Sequence, residues 1–177
     1  VRKLLLIISL FMGLAITANS QTMNTSVNTR AKFKSLFISK FASSIEWPAA
    51  YKQGDFIMAV INDDALAKNL EIMANTKSIN SQKVVVKTYT SAADVERCHV
   101  IYIAGKTASE VEPYAKKALS YSSLIITEGP GMVDKYSAIN FIVSGNLIKY
   151  EMNRKLFKDQ ELVVSNSLEK LATRVVN

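Results

Sequence analysis

Three carboxylates stand where an open α/β sheet takes its ligands. Asp63 and Asp64 follow the apolar run 56–61, and Glu128 follows the run 123–127. If both runs are parallel strands, their carboxyl ends line one crevice, and these acids face it. A small-ligand binding module is one function that such a crevice supports. The two aspartates have a second use. An aspartate just before a helix accepts a bond from an orphan backbone amide, and capping is the stronger reading of the pair.

Other residue types with chemistry of their own lead less far. His99 is the one histidine and Cys98 the one cysteine. Neighbours in a strand point to opposite faces, so they form neither a catalytic pair nor half of a metal site. Both read as packing at the start of a strand, with a local hydrogen bond for His99. Gly105-Lys106-Thr107 resembles the end of a phosphate loop, but Val100 stands where the first glycine belongs. Without it, few backbone amides converge on a phosphate. Neither Gly-x-Gly-x-x-Gly nor Gly-x-Ser-x-Gly occurs. No catalytic residue, metal or cofactor is therefore expected. Trp47, beside Pro48, is either an exposed binding aromatic or a side chain folded against the body at a helix end, and packing outweighs presentation. The candidates for ligand or partner binding are Trp47, Asp63, Asp64 and Glu128.

The elements that position these residues follow from hydrophobic periodicity. Residues 27–45 carry Phe33, Leu36, Phe37, Phe41 and Ile45 at helical spacing, and Pro48 stops that helix. A strand is expected at 56–61, a helix at 64–74, strands at 83–89 and 99–104, a helix at 109–119 with Pro113 near its start, and a strand at 123–127. The strands are apolar on both faces, which suits a covered, largely parallel sheet. After Gly129-Pro130-Gly131 the pattern becomes a hairpin, 139–143 and 147–152, joined by Ser144-Gly145-Asn146. Short helices are expected near 154–158 and from 166 to 175. The fold class is α/β, a three-layer sandwich whose mostly parallel central sheet ends in an antiparallel hairpin and is flanked by helices.

Residues 1–20 read as a cleaved export signal. Arg2 and Lys3 precede the apolar run 4–16, and Ala18 and Ser20 are small where signal peptidase cuts. The run is shorter than the roughly 20 residues a spanning helix needs. A single domain at 21–177, exported to the periplasm, is the expected product. Loss of Arg2 and Lys3 would take the net charge from +7 to +5. The remaining basic residues form no stripe with interleaved aromatics, which argues against nucleic acid. Apolar residues make up 49% of the chain, enough for a core without disulfides, and one cysteine forms no internal bridge.

Five segments, taken in order, resemble one family: Ser44-Ile45-Glu46-Trp47-Pro48, then Met58 to Asp64, Cys98 to Ile103, Leu124 to Glu128, and a tail holding Ile139-Asn140-Phe141, Lys149 to Asn153, Leu162 to Ser165, Leu168 and Leu171-Ala172. Together they are similar to the YfiR family of periplasmic regulators. The resemblance implies an α/β sandwich without known catalysis. It implies a negative regulator that binds the periplasmic sensor domain of an inner-membrane diguanylate cyclase, with biofilm promoted when the cyclase is released to make cyclic di-GMP. A histidine kinase is another sensor that fits this role. Members are associated with dimerisation and with redox sensing through disulfides. This chain departs on the last point, since Cys98 has no second cysteine. Tyr136-Ser137-Ala138-Ile139 also replaces the usual glycine-rich stretch, and Ser165-Asn166 the usual serine pair.

Overall fold

The computed structural model describes residues 26–145 and 147–177. The expected leader at 1–20 lies outside them, as does Asn146 of the hairpin turn. The first helix, α1, occupies 26–43. It buries Ala31, Lys34, Ser35, Ile38, Phe41 and Ala42, a stripe at three- and four-residue spacing. This departs from the expected inner face. Phe33 and Leu36 point outward, because the buried stripe is turned toward Lys34, whose ammonium finds acidic partners inside. The helix also ends before Pro48. Residues Ile45–Glu46 form a short strand, β1, held extended by antiparallel pairing with Val163–Val164.

The main sheet then builds in chain order: β2 (Phe56–Ile61), α2 (Asp64–Ala74), β3 (Ser78–Ile79), β4 (Gln82–Thr88), β5 (Val100–Ala104), α3 (Ala108–Leu119), β6 (Leu124–Glu128), β7 (Ile139–Ser144) and β8 (Leu147–Asn153). The helices α4 (Arg154–Asp159) and α5 (Asn166–Leu171) and the strands β9 (Val163–Val164) and β10 (Arg174–Val176) close the chain. Eight strands lie in the order β10-β8-β7-β6-β5-β2-β4-β3, and β1 pairs with β9 in a separate ribbon. The pairs β4–β2, β2–β5, β5–β6 and β6–β7 are parallel, whereas β7–β8 is antiparallel. This is the expected α/β sandwich.

Side-chain alternation along the strands divides the core between the two faces of the sheet. Met58, Val60, Tyr102, Ile126 and Phe141 pack with α1 and α2. Ala59, Ile61, Ile101, Ile103 and Ile125 pack with Val111, Ala115 and Ala118 of α3. Aromatic rings fix α1 to the hairpin. Phe41 lies 6.0 Å from Phe141 and 4.9 Å from Tyr150, centroid to centroid. Each such pair adds about 0.5–1.5 kcal/mol beyond its buried area.

Two expectations at the C-terminal end are corrected. Ser144 pairs with Leu147, so two residues, not three, connect the hairpin, and Gly145 takes the left-handed backbone this needs at φ 59°. The last helix stops at Leu171 instead of reaching Val175. The Thr173 amide donates to the Tyr150 carbonyl at 2.8 Å, and Arg174–Val176 then pairs with β8. A free sheet edge and β-branched residues outweigh the helical spacing of Leu168, Leu171 and Val175.

Candidate functional site

Lys34 closes the crevice at the carboxyl ends of β2, β5 and β6. Its Nζ donates to Asp63 Oδ2 at 3.1 Å and to the Tyr102 hydroxyl at 2.9 Å, and it forms an ion pair with Glu128. An ammonium has three donors, and all three are used. The Tyr102 hydroxyl in turn donates to Glu128 Oε2 at 2.7 Å. Burial first, and the adjoining Glu128 second, push its ionisation well above the ordinary tyrosine range. Tyr102 is thus a fixed neutral bridge. Lys34 itself is only 8% exposed, which a lysine tolerates when paired.

The turn after β2 positions the first acid. Asn62 takes a left-handed φ of 59°, which asparagine adopts more readily than most residues. Asp63 then does both things its placement allows. Its Oδ1 accepts from the Leu66 amide at 2.9 Å and caps α2, while Oδ2 holds Lys34. Asp64 sits in the first turn of α2, exposed to solvent and apart from this network. The crevice therefore brings Asp63 and Glu128 together without Asp64. Lys34 and Tyr102 complete it, and neither was among the candidates from the sequence. One signal for Lys34 was available: it stands at a core-facing position between Ala31 and Ile38, and a lysine there requires an acidic partner.

Beside Glu128 a cavity of 380 Å³ opens, bounded by Lys106, Pro130, Phe141, Ile142 and Val143. The Gly105-Lys106-Thr107 loop at its edge is occupied internally, for the Lys106 amide donates to Glu110 Oε2 at 2.6 Å. No group of three or more histidine, cysteine, aspartate or glutamate side chains among the described residues is placed to hold a metal.

Cys98 and His99 lie at the opposite, amino end of β5. His99 Nε2 donates to the Tyr51 carbonyl at 2.8 Å, while Nδ1 accepts from the Ile57 amide at 3.0 Å. These two bonds require the neutral ring with its proton on Nε2. Burial holds its pKa below the ordinary histidine value, and Arg97 acts in the same direction. Cys98 turns to the other face, with Sγ 3.7 Å from Ser123 Oγ, and burial pushes its thiol up to about 11. Trp47 joins the His99 cluster. It is 3% exposed, its Nε1 donates to the Ala42 carbonyl at 2.9 Å, and its ring meets Phe56 edge-on at 5.3 Å. The geometry is that of a packed side chain, and the indole has no surface with which to anchor a partner in this conformation.

A family profile described as YfiR/HmsC-like matches residues 31–173. The chain belongs to the YfiR/HmsC-like family. Lys34, Asp63, Tyr102, Glu128, Cys98, His99 and Trp47 all fall within the matched span. Among solved structures, a conserved domain protein from Vibrio cholerae O1 biovar eltor is similar in fold at a TM-score of 0.58 and 14% identity, over 82% of this chain and 60% of that one. The chain thus spans 60% of the Vibrio chain, less than two thirds, and the likeness concerns fold alone. An ABC domain from Streptococcus pneumonia, solved with L-Trp, gives a TM-score of 0.48 and 11% identity over 68% of this chain and 56% of that one. No curated protein matches the sequence.

Proposed function

We propose that this protein is an exported regulator without catalytic activity, which binds and represses the periplasmic sensor domain of an inner-membrane signalling protein. A diguanylate cyclase is the first partner to test and a histidine kinase the second. The observation that carries this reading is membership of the YfiR/HmsC-like family over residues 31–173. The site agrees with it. The crevice is filled by a lysine with every donor engaged, and neither Cys98 nor His99 is available as a nucleophile or base. The leader at 1–20 would be cleaved, leaving one domain from Gln21 in the periplasm, as a monomer or a homodimer. No helix among the described residues is long and apolar enough to cross a membrane.

The test is a deletion strain and its complement. Deletion should raise cyclic di-GMP, the restored gene should lower it, and the purified protein should bind the cyclase's isolated periplasmic domain. Unchanged cyclic di-GMP together with no binding to any cyclase or kinase periplasmic domain would refute the reading. The 380 Å³ cavity beside Glu128 favours a second reading, a periplasmic module that binds a small ligand at the strand carboxyl ends. A ligand there would bias partner release only by binding the free and bound states unequally.

A further inference from the structure

Helix α1 carries Arg30, Lys32, Lys34 and Lys40 and no acidic residue. Lys34 is buried and neutralised by Asp63 and Glu128. Arg30, Lys32 and Lys40 form no ion pair among the described residues. On the same helix Phe33 is 44% exposed and Leu36 is 47% exposed. Phe33, Leu36 and Lys40 follow three- and four-residue spacing and so share one outward face, and Lys32 joins Leu36 one turn away. Behind Phe33 and Leu36, the half-buried Phe37 ring packs on Phe141 and Tyr150, so this face stands on a rigid support.

We propose that this outward face of α1 docks on an anionic phospholipid surface. Two large apolar side chains one turn apart, bordered by unpaired cations, combine the two attractions that hold an amphipathic helix at a lipid interface. Apolar contact supplies one, and attraction between Lys or Arg and the negative surface supplies the other. The side chains project from a convex helix. A fluid acyl boundary conforms to such projections, whereas a folded protein must offer a matching groove. A second copy of this chain is the poorer occupant, because a two-fold contact through this face would bring its unpaired cations against their own copies. The positive net charge, +7 for the full sequence and +5 once Arg2 and Lys3 leave with the leader, adds long-range attraction to the same surface. Docking in this way would place the protein beside a membrane-bound partner without requiring that the partner be known.

The test is vesicle flotation with protein recovered from the exported fraction. Phosphatidylcholine vesicles are compared with vesicles of equal parts phosphatidylcholine and phosphatidylglycerol. The readout is the ratio of partition between the two, which any apolar leader would leave alike in all arms. Wild type should favour the anionic vesicles by roughly tenfold or more at low salt, falling as salt is added. Lys32→Glu with Lys40→Glu should abolish the preference. Phe33→Ser with Leu36→Ser should lower binding to anionic vesicles at unchanged charge. Lys83→Glu with Lys135→Glu makes the same charge change at exposed sites off α1 and should retain most of the preference. These side chains are exposed, so melting temperatures should match wild type, and Lys32→Gln with Lys40→Gln replaces the reversal if it does not fold. No anionic preference in wild type overturns the proposal. So does equal loss in the Lys83/Lys135 control, which would assign the effect to net charge, and so does a serine variant that binds like wild type. If the α1 variants instead lose only a protein partner, the face is a protein interface and the lipid proposal fails.

Discussion

Lys34 of the first helix and Glu128 at the end of β6 are joined in an ion pair across the strand ends, and Tyr102 and Asp63 complete the ring around the ammonium. This pairing places a cation of the chain itself in the position where open α/β sheets hold ligands. It also ties α1 to the sheet. Removing one partner of a buried pair leaves its counterpart uncompensated, which is the costly case.

Lys34→Met should therefore destabilise the fold by about 2–4 kcal/mol, below the full buried value because Glu128 keeps part of its solvent contact. Adding Asp63→Asn and Glu128→Gln removes the stranded charges while keeping a capping residue before α2, and should restore a good part of the loss. Urea unfolding of the single and triple variants measures both. A triple variant no more stable than Lys34→Met would show that the ion network is not what the lysine supports.

Much of this arrangement could be read from residue order, and the remainder depended on contacts that order does not carry. Apolar strands alternating with helices announced the parallel sheet, and the acids at 63 and 128 announced its carboxyl ends. Lys34 was missed because periodicity counts apolar residues. The stripe through Phe33 and Leu36 looked as regular as the true one through Ala31, Ile38 and Phe41. The choice between them depended on where an ammonium found carboxylates. The strand at 174–176 was missed for a similar reason. Leu168 and Leu171 satisfy a helix, and only the open edge of β8 draws the chain out after Ala172.

Stability should depend on the protonation of His99. Its pKa is depressed in the folded state, so below about 6.5 the unfolded chain binds a proton that the folded chain refuses. Its full contribution is present above about pH 6.5 and is lost as pH falls through the folded value, at a slope of no more than about 1.4 kcal/mol per pH unit. Protonation would also turn Nδ1 from acceptor to donor against the Ile57 amide. Urea midpoints measured from about pH 7.5 down to about pH 5.5 should fall for wild type, and the fall should be smaller in His99→Gln. Equal slopes in the two proteins would mean that His99 does not titrate with unfolding.

Cys98 should behave as an inert thiol. It is fully buried, and only a small fraction is thiolate near neutral pH when the pKa is about 11. An aromatic disulfide reagent should label it only after denaturant is added. Because the chain contains no second cysteine, melting temperatures with and without reductant should coincide, and Cys98→Ser should cost no more than about 1 kcal/mol. Fast labelling of native protein would show that the thiol is accessible, and a melting temperature that falls with reductant would point to an intermolecular disulfide.

Trp47 is the only tryptophan, so its emission reports one place. With the indole enclosed by Phe56, Tyr51 and His99, emission should be blue-shifted and shielded from a soluble quencher until the protein unfolds. Trp47→Ala removes a large ring from a packed site together with a bond to the Ala42 carbonyl. It should cost about 3–5 kcal/mol and lower the melting temperature by several degrees. Trp47→Phe keeps most of the volume but loses that donor, leaving a buried carbonyl one partner short, and should cost less. Partner capture separates packing from presentation. If Trp47 acts through packing, capture by each variant at a temperature where it remains folded should equal wild type. A variant that keeps its melting temperature but loses capture would show that the indole leaves the core to meet the partner.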